Sequence, residues 1–170
     1  AKFHDGTPVT AEDVKWSLDR AVSVRSLAAA QIQTGSWTKP EQFKIIDQYT
    51  VEAKVDKPDR LALPNLCTLY CIIFNSKVVK SHATAADPWG QEWTKTNTAG
   101  SGAYILESFR PGEQVILRRN DAWNRSIDGK PAGFRRVICQ TIPEAATRAS
   151  LIEKGDADLS IDLAASDVAT

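Results

Sequence analysis

Between Tyr49 and Val55 the sequence alternates without a break. Val51, Ala53 and Val55 fall on one side, and Thr50, Glu52 and Lys54 on the other. A helix cannot satisfy a period of two, because its side chains recur every 3.6 residues; the pattern specifies a strand with one buried face. Phe43 to Ile46 is a short apolar run just upstream, and Asp47-Gln48 separates the two as a turn. A half-buried antiparallel hairpin follows, closed by Asp56 to Arg60 with Pro58. Further upstream the period changes. Val14, Leu18, Ala21 and Val22 recur at helical spacing and form one apolar stripe. Thr10 precedes them as an N-cap, Asp13 stands in the place of the capping-box acid, and Glu12 suits the positive end of the helix. Both periods in one chain fix the class as mixed α and β.

The remaining elements are read the same way. Arg25 to Gln33 is Ala-rich and reads as a second short helix. Leu61 to Leu69 reads as another, Tyr70 to Phe74 as a buried strand, and Pro88 to Trp93 as a surface helix or turn with two indoles. Thr94 to Thr98 is wholly polar and is the expected boundary between a portion at 1–97 and one at 98–170. After it, Tyr104 to Phe109 and Gln114 to Arg119 are strands around an Arg110-Pro111-Gly112-Glu113 turn, with Val115 and Leu117 inward. Arg135 to Ile142 is a further strand. Pro143 and Glu144 open a helix with an apolar face of Ala146, Ala149, Leu151 and Ile152, ended by Lys154-Gly155. Leu159 to Ile161 is expected as one more strand, and Leu163 to Ala169 as the start of another helix. Strand, helix, strand predicts a βαβ unit in a mixed sheet.

Composition narrows the function. The 170 residues carry 21 basic and 21 acidic side chains, so no positive field draws nucleic acid or an anionic membrane. Hydrophobic residues make up 42%, too many for disorder, and the apolar run at Tyr70 to Phe74 is far short of a membrane span. Cys67, Cys71 and Cys139 are odd in number and define no closed disulfide framework. The chain has no methionine and opens inside what reads as structure, so it is expected to be a piece of a longer, processed polypeptide.

No catalytic constellation emerges. His4-Asp5 looks like an acid/base pair, but neighbours on a strand point to opposite faces, and Asp5 before Gly6 is more simply a turn residue. Asp156, Asp158 and Asp162 lack the glycine and terminal Glu of a calcium loop. His4 and His82 stand too far from the cysteines to complete a tetrahedral site, so no metal and no cofactor are expected. Gly100-Ser101-Gly102 is too short for a phosphate loop and has no Lys after it. Trp16, Trp37, Trp89, Trp93 and Trp123 are core or rim residues first, and stacking platforms for a ligand second.

Four segments carry a resemblance. They are Phe3-His4-Asp5-Gly6-Thr7-Pro8-Val9-Thr10-Ala11-Glu12-Asp13-Val14 with Trp16-Ser17-Leu18-Asp19-Arg20-Ala21; Asp47-Gln48-Tyr49-Thr50-Val51; Gly100-Ser101-Gly102-Ala103-Tyr104-Ile105-Leu106 with Arg119-Asn120-Asp121-Ala122-Trp123; and Ile142-Pro143-Glu144, Thr147-Arg148, Leu151 with Gly155-Asp156-Ala157-Asp158. In this order they resemble the bacterial extracellular solute-binding proteins of family 5, the receptors of peptide and nickel ABC importers. Ser101 and Ala103 depart from that family's usual Thr and Pro, and residues 24–40 match nothing sharply.

The resemblance implies part of a type II periplasmic-binding-protein-like, two-lobed fold, with 1–97 in an accessory domain beside the first lobe and 98–170 in that lobe. It implies a non-enzymatic receptor, periplasmic or a cell-surface lipoprotein, that closes over a peptide or small solute and delivers it to a membrane permease. The loop after the first helix and the one before the Tyr70 strand would face the cleft, so Arg25, Ser26, Trp37, Thr68 and Tyr70 are the expected ligand contacts, with Arg25 pairing a ligand carboxylate. Two other classes stay open at this point: a small hydrolase using the Asp/His pair, and a non-catalytic interaction module. Exposed sheet edges would also favour self-association of a partial chain, a property that light scattering reads directly.

Overall fold

The structure is a computed structural model that describes residues 1–123 and 129–164. Helix α1 (Ala11–Ser23) opens where expected. The Thr10 N–H and hydroxyl both donate to Asp13 Oδ2, at 3.0 and 2.7 Å. Leu18, Ala21 and Val22 of its stripe are buried with Ile32, Trp37 and Phe43 to form the core. Each large side chain removed from water there contributes about 1.5–3 kcal/mol. Helix α2 (Leu27–Gln33) packs on α1 and brings in Ile32. Strands β1 (Phe43–Asp47) and β2 (Thr50–Ala53) pair antiparallel, Phe43 opposite Ala53. Val51 and Val55 lie against the core as the alternation required, while Ala53 is exposed.

Helix α3 (Ala62–Leu66) leads into a 3-10 turn at Leu69–Cys71, and α4 (Ser76–Ser81) and α5 (Gln91–Thr94) follow. The strand expected at Tyr70 to Phe74 is not formed. The Cys71 N–H goes to Thr68 O and the Phe74 N–H to Ser17 Oγ, so neither joins a ladder, and Tyr70 and Ile72 are 42% and 52% exposed. Apolar content without alternation did not determine a conformation there. Lys2 pairs with Pro8 in a single isolated antiparallel bridge.

From Gly100 onward the architecture changes. Strands β3 (Tyr104–Arg110), β4 (Gln114–Arg119) and β5 (Arg136–Gln140) form a three-stranded antiparallel sheet in that order, and α6 (Ala145–Glu153) follows. Gly112 at φ 77° makes the β3–β4 turn and Gly155 at φ 74° ends α6. The strand expected at Leu159 to Ile161 is absent; those two residues are 79% and 95% exposed. The βαβ unit is therefore not completed, and the strand pairings among the described residues are all antiparallel. The helix expected from Leu163 falls from residue 165 onward outside the described residues. Val115 and Leu117 are half-buried, as is the rest of β4 except the exposed Arg118, and no described residue beyond Ala99 is fully buried. The fully buried described residues thus all lie at or before Ala99. Residues 99–102 are tied back to earlier chain by His4 N–H to Gly100 O (2.9 Å), His4 Nε2 to Gly102 O (3.1 Å) and Asn75 N–H to Ala99 O (2.8 Å).

Candidate functional site

Arg25 and Ser26 occupy the corner between α1 and α2. Val24 is buried and extended, which ends α1 and throws the next two residues outward. Ser26 is the α2 N-cap, and both Arg25 and Ser26 are exposed. Residues 59–71 are laced to the stretch that follows α2 by three contacts. Ser36 Oγ donates to Asp59 Oδ2, Trp37 Nε1 donates to Ala62 O at 2.8 Å, and Asn65 Nδ2 donates to Thr34 Oγ1 at 2.9 Å. The Ser36 hydroxyl, followed by the Leu61 N–H, holds the Asp59 carboxyl below its usual range. Gly35 is required at this crossing: a Cβ there would sit 2.8 Å from Leu61 O and 2.9 Å from Asn65 Cβ. Helix α2 packs on both α3 and the Leu69–Cys71 turn, so the Arg25–Ser26 corner and the Thr68–Tyr70 turn flank one helix.

Four of the five expected contacts are exposed or half-buried. Arg25 makes no hydrogen bond or ion pair among the described residues. Thr68 is half-buried, with its hydroxyl on Asn65 O at 2.8 Å, and Tyr70 is 42% exposed. Trp37 is different. It is 4% exposed, stacks on Phe43 with ring centroids 5.1 Å apart, and spends its indole N–H on Ala62. It is a core residue that positions the corner and offers no open ring face. Sequence reasoning missed the apolar residues of the same elements. Leu27, Leu63 and Leu69 are 84%, 72% and 85% exposed. The available signal was the aperiodic apolar run from Leu61 to Phe74. An exposed guanidinium can pair a carboxylate, and exposed leucines and a tyrosine can cover apolar side chains.

A separate cavity of about 540 Å³ lies where Lys2 to Val9, Tyr49, Ser101 and Asn120 to Trp123 meet. None of the five expected contacts lines it. The size suits a small ligand, but its one imidazole is engaged, His4 Nε2 lying on Gly102 O. Asp5 does not turn toward that imidazole. Its Oδ1 accepts the Thr7 N–H and hydroxyl and its Oδ2 accepts Asn75 Nδ2–H at 2.8 Å. The Thr7 hydroxyl first, and then the Thr7 N–H, lower its pKa, so Asp5 is an anionic turn brace. The two members of the suspected acid/base pair thus serve different partners. Among the described residues no three His, Cys, Asp or Glu side chains gather into a metal site, and no helix is long and apolar enough to cross a membrane.

Comparison with known proteins places this geometry. The probable D,D-dipeptide-binding periplasmic protein DdpA of Escherichia coli is 35% identical over 159 residues, covering 94% of this chain and 28% of DdpA. The periplasmic oligopeptide-binding protein OppA of the same organism is 29% identical over 142 residues, covering 74% of this chain and 25% of OppA. The chain therefore spans roughly a quarter of these relatives. Among solved structures, Haemophilus influenzae OppA in complex with RPPGFSPFR superimposes with a TM-score of 0.74 at 22% identity, over 96% of this chain and 33% of that one. The unliganded open form of the murein tripeptide-binding protein MppA gives the same TM-score at 23% identity. At such identities these two matches establish the fold, that of part of a periplasmic binding protein. The sequence profile of the bacterial extracellular solute-binding proteins, family 5 Middle, matches residues 1–170, and the chain belongs to that family.

Proposed function

We propose that this chain is part of the substrate-binding receptor of an ABC importer, which captures a peptide or a related small solute of the peptide and nickel class and delivers it to a membrane permease. The observation that carries the reading is the family match over every residue, 1–170. The names of the relatives, binding proteins for D,D-dipeptides and oligopeptides in the periplasm, support a peptide ligand, a periplasmic place and a role without bond-breaking chemistry. In this reading 1–97 is a domain beside the first lobe and 98–170 belongs to that lobe.

The corner of Arg25, Ser26, Thr68 and Tyr70 forms one wall of the ligand cleft. Arg25 meets a ligand carboxylate, Tyr70 and its leucine neighbours cover side chains, and Trp37 holds the wall from behind. Closure is a population shift, driven by contacts made only in the closed form. The test is calorimetry on the product of the full open reading frame, with D,D-dipeptides, L-peptides of two to five residues, and nickel chelates. Saturable binding of one class without its turnover is expected. Arg25→Ala should weaken a carboxylate-bearing ligand by about tenfold to a hundredfold, the value of a hydrogen bond to a charged group. Hydrolysis of the ligand, or no binding by any class, would overturn the proposal.

A further inference from the structure

Cys67 and Cys71 are free thiols on one short stretch that folds back on itself. Cys67 caps α3 and donates its N–H to Pro64 O. Thr68 is extended (φ −82°, ψ 164°), the 3-10 turn follows, and the Cys71 N–H returns to Thr68 O at 3.2 Å. Both sides of this reversal converge on one atom. The Asn65 carbonyl accepts the Thr68 N–H (3.3 Å), the Thr68 hydroxyl (2.8 Å) and the Cys71 S–H (3.4 Å), while Cys67 lies two residues along from it. Asn65 itself is buried and fixed on Thr34, so the anchor does not move. Between the cysteines, Leu69 and Tyr70 are exposed. The third cysteine is remote in the fold, on β5 opposite Val115.

The two thiols are also unequal. Cys67 is exposed and Cys71 half-buried. Burial raises the Cys71 thiol above its ordinary pKa, and the neighbouring Cys67 adds to the rise. An incoming oxidant therefore meets Cys67 first, and Cys71 is the one held back to resolve.

We propose that Cys67 and Cys71 are a redox pair that closes to an intramolecular disulfide, with a small-molecule or protein disulfide as the oxidant. Cys67 thiolate attacks a sulfur of the oxidant, forming a mixed disulfide and releasing one thiol. Cys71 then attacks the Cys67 sulfur, closing the ring and releasing the second thiol. Two protein thiols are oxidised and one disulfide is reduced to two thiols, so electrons and protons balance. The product clamps Thr68 to Tyr70 to the end of α3 and gives up the Cys71 contact with Asn65, whose carbonyl keeps both Thr68 donors.

The test uses the full chain equilibrated with oxidised and reduced glutathione, quenched by alkylation and cut with trypsin without reduction. Cleavage after Arg60 and Lys77 leaves both cysteines in peptide 61–77, apart from Cys139. The expected product is that peptide lighter by two hydrogens and free of alkyl groups. Cys71→Ser should stop at a glutathione adduct on Cys67. The folded chain should favour the closed form at least about tenfold over the same chain in urea, because the fold supplies the effective concentration. Two alkylated or two glutathionylated cysteines, a link from either to Cys139, or equal closure in urea would each overturn the proposal.

Discussion

Asp13 is the most heavily engaged carboxylate in the core, and its removal has a calculable cost. Oδ2 accepts the Thr10 N–H and hydroxyl, and Oδ1 accepts the Ser76 N–H and hydroxyl at 3.0 and 2.7 Å. Asp13 is 5% exposed and Ser76 is fully buried. In Asp13→Ala the two Ser76 donors lose their acceptor where water cannot replace it, at about 1–3 kcal/mol each. Loss of the α1 cap adds about 1 kcal/mol. The sum, about 3–7 kcal/mol, reaches the low end of a whole domain's stability, about 5–15 kcal/mol. Asp13→Asn is the gentler variant. It keeps Oδ1 for Ser76 and turns a donor toward Thr10, and should cost about 1–2 kcal/mol. Charge adds a pH signature. Burial pushes the Asp13 pKa up, but the bonds from Ser76 and Thr10 together outweigh it and the net shift is downward. A carboxyl whose folded pKa is depressed stabilises fully above its unfolded value, about 3.9. It loses that contribution as pH falls through the lower folded value. Urea midpoints should therefore show the wild type ahead of Asp13→Asn near neutrality, with the gap narrowing below about pH 4. A gap independent of pH, or an Asp13→Ala cost under about 1 kcal/mol, would refute this account.

Two further outcomes follow from the packing. Trp37→Phe strands the Ala62 carbonyl and empties part of the core, so urea unfolding should show a loss of about 2–3 kcal/mol; unchanged stability with lost ligand binding would instead make Trp37 a contact residue. Gly90 has φ 61°, and a Cβ there would stand 2.7 Å from Cγ1 of the fully buried Val79, whereas Gly112 at φ 77° faces open space. Gly90→Ala should therefore cost more than Gly112→Ala, about 2–3 against about 1 kcal/mol in the same assay, and equal costs would show that the Val79 contact relaxes freely.

What could be read in advance tracks where the determining forces are local. Thr10, Asp13 and the stripe from Val14 to Val22 specify α1 within four turns of chain, and the alternation at Tyr49 to Val55 specifies its hairpin, because each pattern carries both the period and the punctuation. Tyr70 to Phe74 had composition without either. Its conformation is set by Thr68, Asn65 and Ser17, partners that no local rule names. Leu159 to Ile161 failed for a related reason: a strand is made by its neighbour, and no ladder reaches it among the described residues. The same distinction governs the site. Arg25 and Ser26 are expected at the cleft through the resemblance alone; α1 ends before them and they are exposed. Trp37 rests on the same inference, and an expected loop does not say whether an indole faces out or in. Ala62 decides that, twenty-five residues away, by offering the indole N–H a carbonyl inside the core. The corner is thus positioned by contacts distant in sequence, Trp37 to Ala62 and Asn65 to Thr34. Its exposed leucines belong to elements whose buried sides are committed to those contacts, which is why their outward faces remain available.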